Sequence, residues 1–338
     1  QLDSVHYAVA SLKEQGIYCY FGHLFWDTSV TALNDNDLPG LKKGEAATTA
    51  MFFNKPLQEK YLQWVAALMK PKNPYTGLSL AEYPAVSIIE VQNESNTLFW
   101  TLNPQRLPLH SRTLIQKAFA QFAAQRYGSI DAALKAWGDK VEGDAPADGR
   151  VGFLQAYNLT TVGIKQHPKR AADQIEFLAK AQYALYEKMA KRFADMGIRK
   201  MVAGSNWKTA DPSNLGPLEY YSYTATDMVC KNDYFGPKKI NSPRGYAIDV
   251  DDEFVSISAM RGPEAAGVLM TAQPASHPYL ITENNWDNPN EYRAEFPFLV
   301  ATYGRMAGID AWSFFAHSTP LWDTGMGVWN TASPTIMG

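Results

Sequence analysis

The 338-residue chain is poor in cysteine, has no long hydrophobic run and has no block of one charge. Its two cysteines, Cys19 and Cys230, each lie inside a separate apolar run, so they read as buried free thiols and not as a disulfide framework. A membrane-spanning helix needs about 18 or more consecutive apolar residues, and no such stretch occurs. Lys and Arg number 31 against 34 Asp and Glu, a formal net charge of -3 spread over mixed stretches. That balance argues against nucleic acid and membrane surfaces as partners. The six histidines show no HxH or HExxH spacing, and the acidic run from Asp249 to Phe254 lacks the glycine of a calcium loop, so no metal is expected. No glycine-rich phosphate loop or GxSxG elbow follows an apolar run, and no cofactor is expected either. Internal repeats, low-complexity tracts and Gly/Ser linkers are likewise missing, and residues 1–338 read as one domain.

Aromatic residues, by contrast, are plentiful. They make up 13% of the chain, with nine Trp and eighteen Tyr, and many stand beside Asn, Asp, Pro or Gly in loop-like segments. Rings held at a surface offer flat apolar faces to ligands such as sugars.

Helical and strand-like segments alternate. "LDSVHYAVASLKEQG" has helical spacing and stops at Gly16, and "IYCYFGHLFW" follows as a strand. A helix through "PLQEKYLQWVAALMK" leads to the strand "AVSIIEVQNE". Next comes a helical insertion at about 98–170 containing "SRTLIQKAFAQFAAQRYGSIDAALKAWG", and then a helix through "AADQIEFLAKAQYALYEKMAKRFADMG". Four further strand-like runs are "RKMVAGSNW", "TDMVCKNDYFG", "PYLITENNW" and "IDAWSFFAHS". Each run is apolar where it starts and polar or aromatic where it ends. Repeated strand-helix units with short apolar strands imply an α/β fold with a parallel sheet buried on both faces. The order fits most of a (β/α)₈ TIM barrel, with its first two strands and last helix expected outside this sequence. In that fold the carboxyl ends of the strands form the active site.

Two such ends carry a carboxylate: Glu94 after Asn93, and Glu283 in "YLITENNW". An unpaired buried carboxylate costs several kcal/mol, so its presence there calls for a function. Paired carboxylates are what glycoside hydrolysis needs, one to protonate the leaving oxygen and one to attack the anomeric carbon. A separation of about 5–5.5 Å gives retention of configuration, and a wider gap admits water and gives inversion. Glu90 shares the face of Glu94 by the i, i+4 parity of a strand, lies deeper and reads as structural. Asp233 points away by the same alternation. Of the two glycosylation sequons, Asn158 (NLT) is usable in a glycosylating host, whereas Asn93 (NES) lies in the strand and reads as coincidental.

An Asn-Glu pair at the end of one barrel strand and a Glu at the end of a later one resemble the marks of glycoside hydrolase clan A, retaining glycosidases on a (β/α)₈ barrel. The likeness runs from about Ile17 to Ser318, and "RYGSIDAALKAWG" is similar to a segment of family 42 β-galactosidases and of agarase-type polysaccharide hydrolases. The resemblance implies that Glu94 is the acid/base, Glu283 the nucleophile and Asn93 the partner of the sugar 2-hydroxyl. It implies that Tyr234 hydrogen-bonds the nucleophile and that Trp312 is the platform under the sugar. Asn232 stands where the clan often has histidine. His23, Trp26, Asn206, Trp207 and Trp286 are subsite candidates by position. The substrate expected is a β-linked oligo- or polysaccharide, with β-galactosides and algal galactans favoured. The alternative is a catalytically inactive barrel that binds polysaccharide through its aromatics. Long loops at 27–50, 98–112, 140–170 and 236–278 are expected to shape the cleft. The chain opens on Gln1 without a visible signal peptide, and a secreted or periplasmic setting after loss of a targeting segment is expected. Oligomeric state is not legible in the sequence.

Overall fold

The computed structural model describes residues 1–22, 49–241, 245–262, 272–316 and 327–329. The chain divides into two compact units, Gln1–Met228 and Val229–Gly338.

The first unit opens with α1 (Leu2–Glu14), which buries His6, Val9 and Ala10, and continues into β1 (Cys19–Phe21). After α2 (Ala50–Phe53), α3 (Lys55–Met69) starts where the side chain of Asn54 accepts the Leu57 amide at 3.0 Å. That bond satisfies one of the donors a helix start leaves over, and Pro56 in the first turn needs no donor of its own. The buried Leu57, Tyr61, Leu62, Val65 and Met69 form one stripe along the helix. It is followed by β2 (Val86–Glu90) and then by the insertion with α4 (Leu109–Tyr127), α5 (Ile130–Trp137) and α6 (Val162–Gln166). The long α7 (Pro168–Asp195), β3 (Met201–Ala203) and α8 (Pro212–Tyr223) complete the unit.

The stretch "RYGSIDAALKAWG" makes the end of α4 and all of α5. Gly128 and Gly138 close the two helices at φ of +90° and +71°, a left-handed conformation that costs glycine nothing. Ser129 caps α5 by accepting the Ala132 amide at 3.0 Å. Phe119, Trp137 and Phe177 stack in the core of this insertion. Burying each such ring is worth roughly 1.5–3 kcal/mol.

The three strands of the first unit form a parallel sheet in the order β1-β2-β3, with Glu90 opposite Ala203. The second unit holds β4 (Val229–Asn232), the antiparallel pair β5 (Lys238–Asn241) and β6 (Glu253–Val255), β7 (Tyr279–Asn284), α9 (Glu295–Leu299) and β8 (Ala311–Phe314). Its parallel sheet runs β4-β7-β8, and all six residues of the central β7 are buried. Phe235, Trp286, Phe296 and Leu299 pack beside it.

All six strand-like runs thus contain a strand, and both larger sheets are parallel, as an α/β chain requires. The elements not anticipated include α8 and the β5–β6 pair. The helix α8 carries its own start signal, Asp211 accepting the Asn214 amide at 3.2 Å ahead of Pro212, whereas the β5–β6 pair is exposed and lacks the apolar alternation that marks a buried strand. One expectation is corrected: β2 stops at Glu90, so Glu94 stands four positions beyond the strand and the shared-face parity of the two acids does not apply. Cys19, half-buried, and Cys230, buried, are not joined in a disulfide.

Candidate active site

In the first unit, the sheet delivers Glu90 into the interior. Its carboxylate, with no solvent exposure, accepts the Tyr20 hydroxyl at 2.6 Å and the Asn206 amide at 3.4 Å. Gly22 is required here: a Cβ at that position would sit 2.8 Å from the Tyr20 ring and 3.1 Å from the Glu90 carboxylate. Tyr61, nearby, donates to the Val91 carbonyl at 2.9 Å. Burial, and then the charge of Glu90, push its phenol well above the ordinary tyrosine range.

Beyond the strand the chain turns sharply. Glu94 adopts φ of +49°, a left-handed conformation that a non-glycine residue takes only at a cost. Asn206, in the loop after β3, holds that turn from both sides: its side-chain oxygen accepts the Glu94 amide at 2.9 Å, and its nitrogen donates to the Asn93 side chain at 2.9 Å. The following residues are tied to α7 and α8. Thr97 donates its amide to Gln182 at 2.9 Å, and Asn96 donates to the buried Glu219 at 3.0 Å. Tyr223 donates to the same Glu219 oxygen at 3.0 Å. Asn93 is buried and bonded in this network, in keeping with its sequon being coincidental.

Trp207 follows Asn206 and meets Phe99 edge-on at 5.4 Å. Phe99 in turn touches the half-exposed rings of Trp100 at 6.3 Å and Tyr157 at 6.1 Å. Aromatic rings therefore continue from the Asn93–Glu94 turn onto the insertion. His23 and Trp26 lie outside the described residues.

In the second unit, Glu283 sits near the end of β7 and is buried. The Tyr234 hydroxyl donates to its carboxylate at 2.7 Å, the bond that the clan resemblance implies. Asn232 accepts the Thr282 hydroxyl at 2.8 Å at the end of β4. Asp233 donates its amide to the Glu283 carbonyl at 2.9 Å. Trp286, a subsite candidate by position, and Trp312, the expected platform, both pack against Phe296. Trp286 is 1% exposed, packed between Phe235 and Phe296, and has no open ring face. Trp312 packs against Phe296 and Gly304, with its buried indole nitrogen unbonded. A tilted pair with the Tyr234 ring is made instead by Trp329, at 5.6 Å, which also stacks on Tyr246 at 4.2 Å. Trp329 bonds Asp287, a carboxyl that burial pushes up to about 7, opposed by the charge of Lys239 and by the Trp329 bond. No local sequence signal marks Trp329, because Tyr234 and Tyr246, whose rings it meets, lie far from it in the chain.

Among the described residues no group of three or more His, Cys, Asp or Glu is placed to hold a metal ion. Among them, too, no helix is long and apolar enough to cross a membrane.

No protein-family model matches the sequence, and no curated protein matches it. Among the solved structures similar in fold are three glycoside hydrolases. One is a polyextremophilic β-galactosidase from the Antarctic haloarchaeon Halorubrum lacusprofundi, 17% identical with a TM-score of 0.54, over 84% of this chain and 40% of that one. Another is an exo-β-agarase, 12% identical with a TM-score of 0.50, over 86% of this chain and 36% of that one. The third is a hyperthermostable endo-1,4-β-D-mannanase from Thermotoga petrophila RKU-1, 13% identical with a TM-score of 0.50, over 96% of this chain and 71% of that one. The chain spans well under half the length of the agarase and of the galactosidase. At such identities the likeness speaks of fold alone, the α/β fold described above.

Proposed function

We propose that the chain is the catalytic part of a retaining glycoside hydrolase acting on a β-linked oligo- or polysaccharide. The observation that carries this reading is the 2.7 Å bond from Tyr234 to Glu283, because a phenol held on a buried strand-end carboxylate is what the clan resemblance requires of a nucleophile. The clamp of Asn206 on Asn93 and Glu94 supports it from the other acid's side. Three structural neighbours that cleave β-linked sugars, by their names, agree with a β-glycan substrate. The (β/α)₈ barrel belongs to the same proposal, since parallel strands joined through helices are its building unit.

In this mechanism Glu94 gives its proton to the glycosidic oxygen while a Glu283 oxygen attacks the anomeric carbon. The carbon–oxygen bond to the leaving group breaks, and an ester links the sugar to Glu283. Glu94, now a carboxylate, takes a proton from water, whose oxygen attacks the same carbon and releases Glu283. Asn93 hydrogen-bonds the sugar 2-hydroxyl, a contact that strengthens as positive charge develops on the ring. β-Galactosides, including algal galactans, are the favoured substrates. A polymer of that size does not cross a membrane, and a secreted or periplasmic setting follows from it.

The test is reducing-sugar release from a panel of β-glycans, run beside Glu94→Gln and Glu283→Gln. Turnover that falls by about 10³-fold or more in both variants, with the β-anomer as the first product, is the expected outcome. If all glycans bind yet stay intact, the inactive polysaccharide-binding reading replaces this one.

A further inference from the structure

The insertion is braced more firmly than the covering of a sheet demands. Arg170 on α7 is fully buried and bonds Asp139 at 2.8 Å, Asp144 at 2.7 and 2.9 Å and the Gly152 carbonyl at 3.0 Å. Its guanidinium also lies 4.4 Å over the Trp137 ring. Asp144 completes the brace by accepting the amides of Val141 at 2.9 Å and Gly152 at 2.7 Å. Buried ion pairs of this kind fix geometry more than they add stability. Here the fixed segment, residues 141–152, forms one wall of a cavity of about 340 Å³. That volume is within the range of about 300–1,000 Å³ usual for small-molecule sites.

The chemistry of the cavity is specific. Arg112 lines it, donates one N–H to the Pro104 carbonyl at 3.1 Å and meets no carboxylate among the described residues, which leaves most of its fork of donors available. Arg150, also on the wall, bonds the buried Gln116 at 3.3 Å and the exposed Asp148 at 2.7 Å. Gln155 gives its oxygen to Asn103 at 3.2 Å and keeps its N–H₂ group for another acceptor. Leu109 and Phe153 supply apolar wall, and Glu142 stands at the rim, exposed to water that screens its charge. Half-buried guanidinium groups select an oxyanion, and side-chain amides beside an apolar wall suit the hydroxyls and the flat face of a sugar ring.

We propose that this cavity is a second binding site, built from none of the residues that hold Glu94, and that it takes a saccharide unit bearing a carboxylate or sulfate group. The saccharide half of the assignment rests on the glycosidase reading, whereas the anion half rests on Arg112 and Arg150 alone.

Calorimetric titration of the full chain tests it, with D-galacturonate, D-galactose 6-sulfate, D-galactose and sodium sulfate as probes. One or both acidic sugars bind at least ~10-fold more tightly than galactose and than inorganic sulfate, and which of them does so identifies the anion. Arg112→Ala, and Gln116→Glu, which keeps the side-chain volume but adds a negative charge, each weaken that binding ~10-fold or more while hydrolysis of a small neutral aryl β-galactoside is unchanged. Gln116→Glu decides the matter if Arg112→Ala does not fold. Galactose binding as well as the acidic sugars, sulfate binding as well as the sulfated sugar, retention of binding in Gln116→Glu or no binding of any probe each overturns the proposal. Acidic sugars that bind a chain with no hydrolytic activity would leave this site standing and remove the glycosidase reading.

Discussion

The side-chain amide of Asn206 reaches the Glu94 backbone with its oxygen and the Asn93 side chain with its nitrogen, each at 2.9 Å. One residue after β3 thereby sets the position of two residues after β2. Asn206→Ala leaves buried partners unsatisfied, at about 1–3 kcal/mol each, and loosens the turn that aims Glu94. The expected result is a loss of kcat of about 10²-fold with a much smaller change in KM, measured by steady-state kinetics on an aryl β-glycoside. A loss confined to KM would mean that Asn206 binds substrate and does not position the acid.

Glu94 holds φ of +49°. Replacing it by glycine removes the acid and also the conformational strain. Glu94→Gly is expected to be inactive yet as stable as the parent or up to about 1 kcal/mol more stable in urea unfolding. Clear destabilisation would show that the Glu94 side chain supports the fold.

Tyr234→Phe removes the phenol oxygen from Glu283 while keeping the ring that packs beside Trp329 and Phe315. Activity is expected to fall by about 10- to 100-fold. The thermal midpoint should shift by only a few degrees, because the ring contacts remain.

Asp287 titrates at about 7, against an ordinary value of 3.8, because burial disfavours its charged form. The folded chain therefore holds this proton where the unfolded chain has lost it, and the stabilisation it gives is complete below about pH 4 and lost as pH rises through about 7. The Asp287→Asn variant should lose this component of the pH dependence, so its thermal midpoint should gain on the parent's between about pH 5 and pH 8. Parallel melting curves across that range would remove Asp287 from the account. Because Asp287 bonds Trp329, and Trp329 walls Tyr234, the same substitution is also expected to alter the pH profile of KM.

Asp144 behaves in the opposite sense. Burial alone raises its pKa, but the bonds from Arg170 and from the Val141 and Gly152 amides outweigh that and hold it below the usual carboxylate range. Its contribution is present at neutral pH and lost as pH falls through its depressed value. Asp144→Ala strands part of the Arg170 charge in the interior and is expected to cost about 3–5 kcal/mol in chemical denaturation.

The sequence was most readable where local physics acts alone. The stripe along α3, the capping Ser129 and the glycines at 128 and 138 can be read within one turn of helix, and the apolar starts of the six strand runs report burial directly. Strand parity misled at Glu94 because alternation holds only while the strand lasts, and nothing local marks its end at Glu90. The aromatic residues were the least readable. Trp286 reads by position as a subsite residue, yet it is buried among apolar neighbours, while Trp329 meets Tyr234 across 94 intervening positions of chain, a pairing no local pattern encodes.

By itself, then, the sequence determined the α/β class, the order of the strands and the chemical types available at their ends, since propensity, periodicity and capping act over a few neighbouring residues. Only the tertiary structure decided which other groups meet: Asn206 with Glu94, Trp329 with Asp287, and Arg112 with Arg150 around one cavity. Hydrogen bonds and electrostatic effects act through distances of a few ångström, and only the folded backbone brings residues far apart in the chain within that reach.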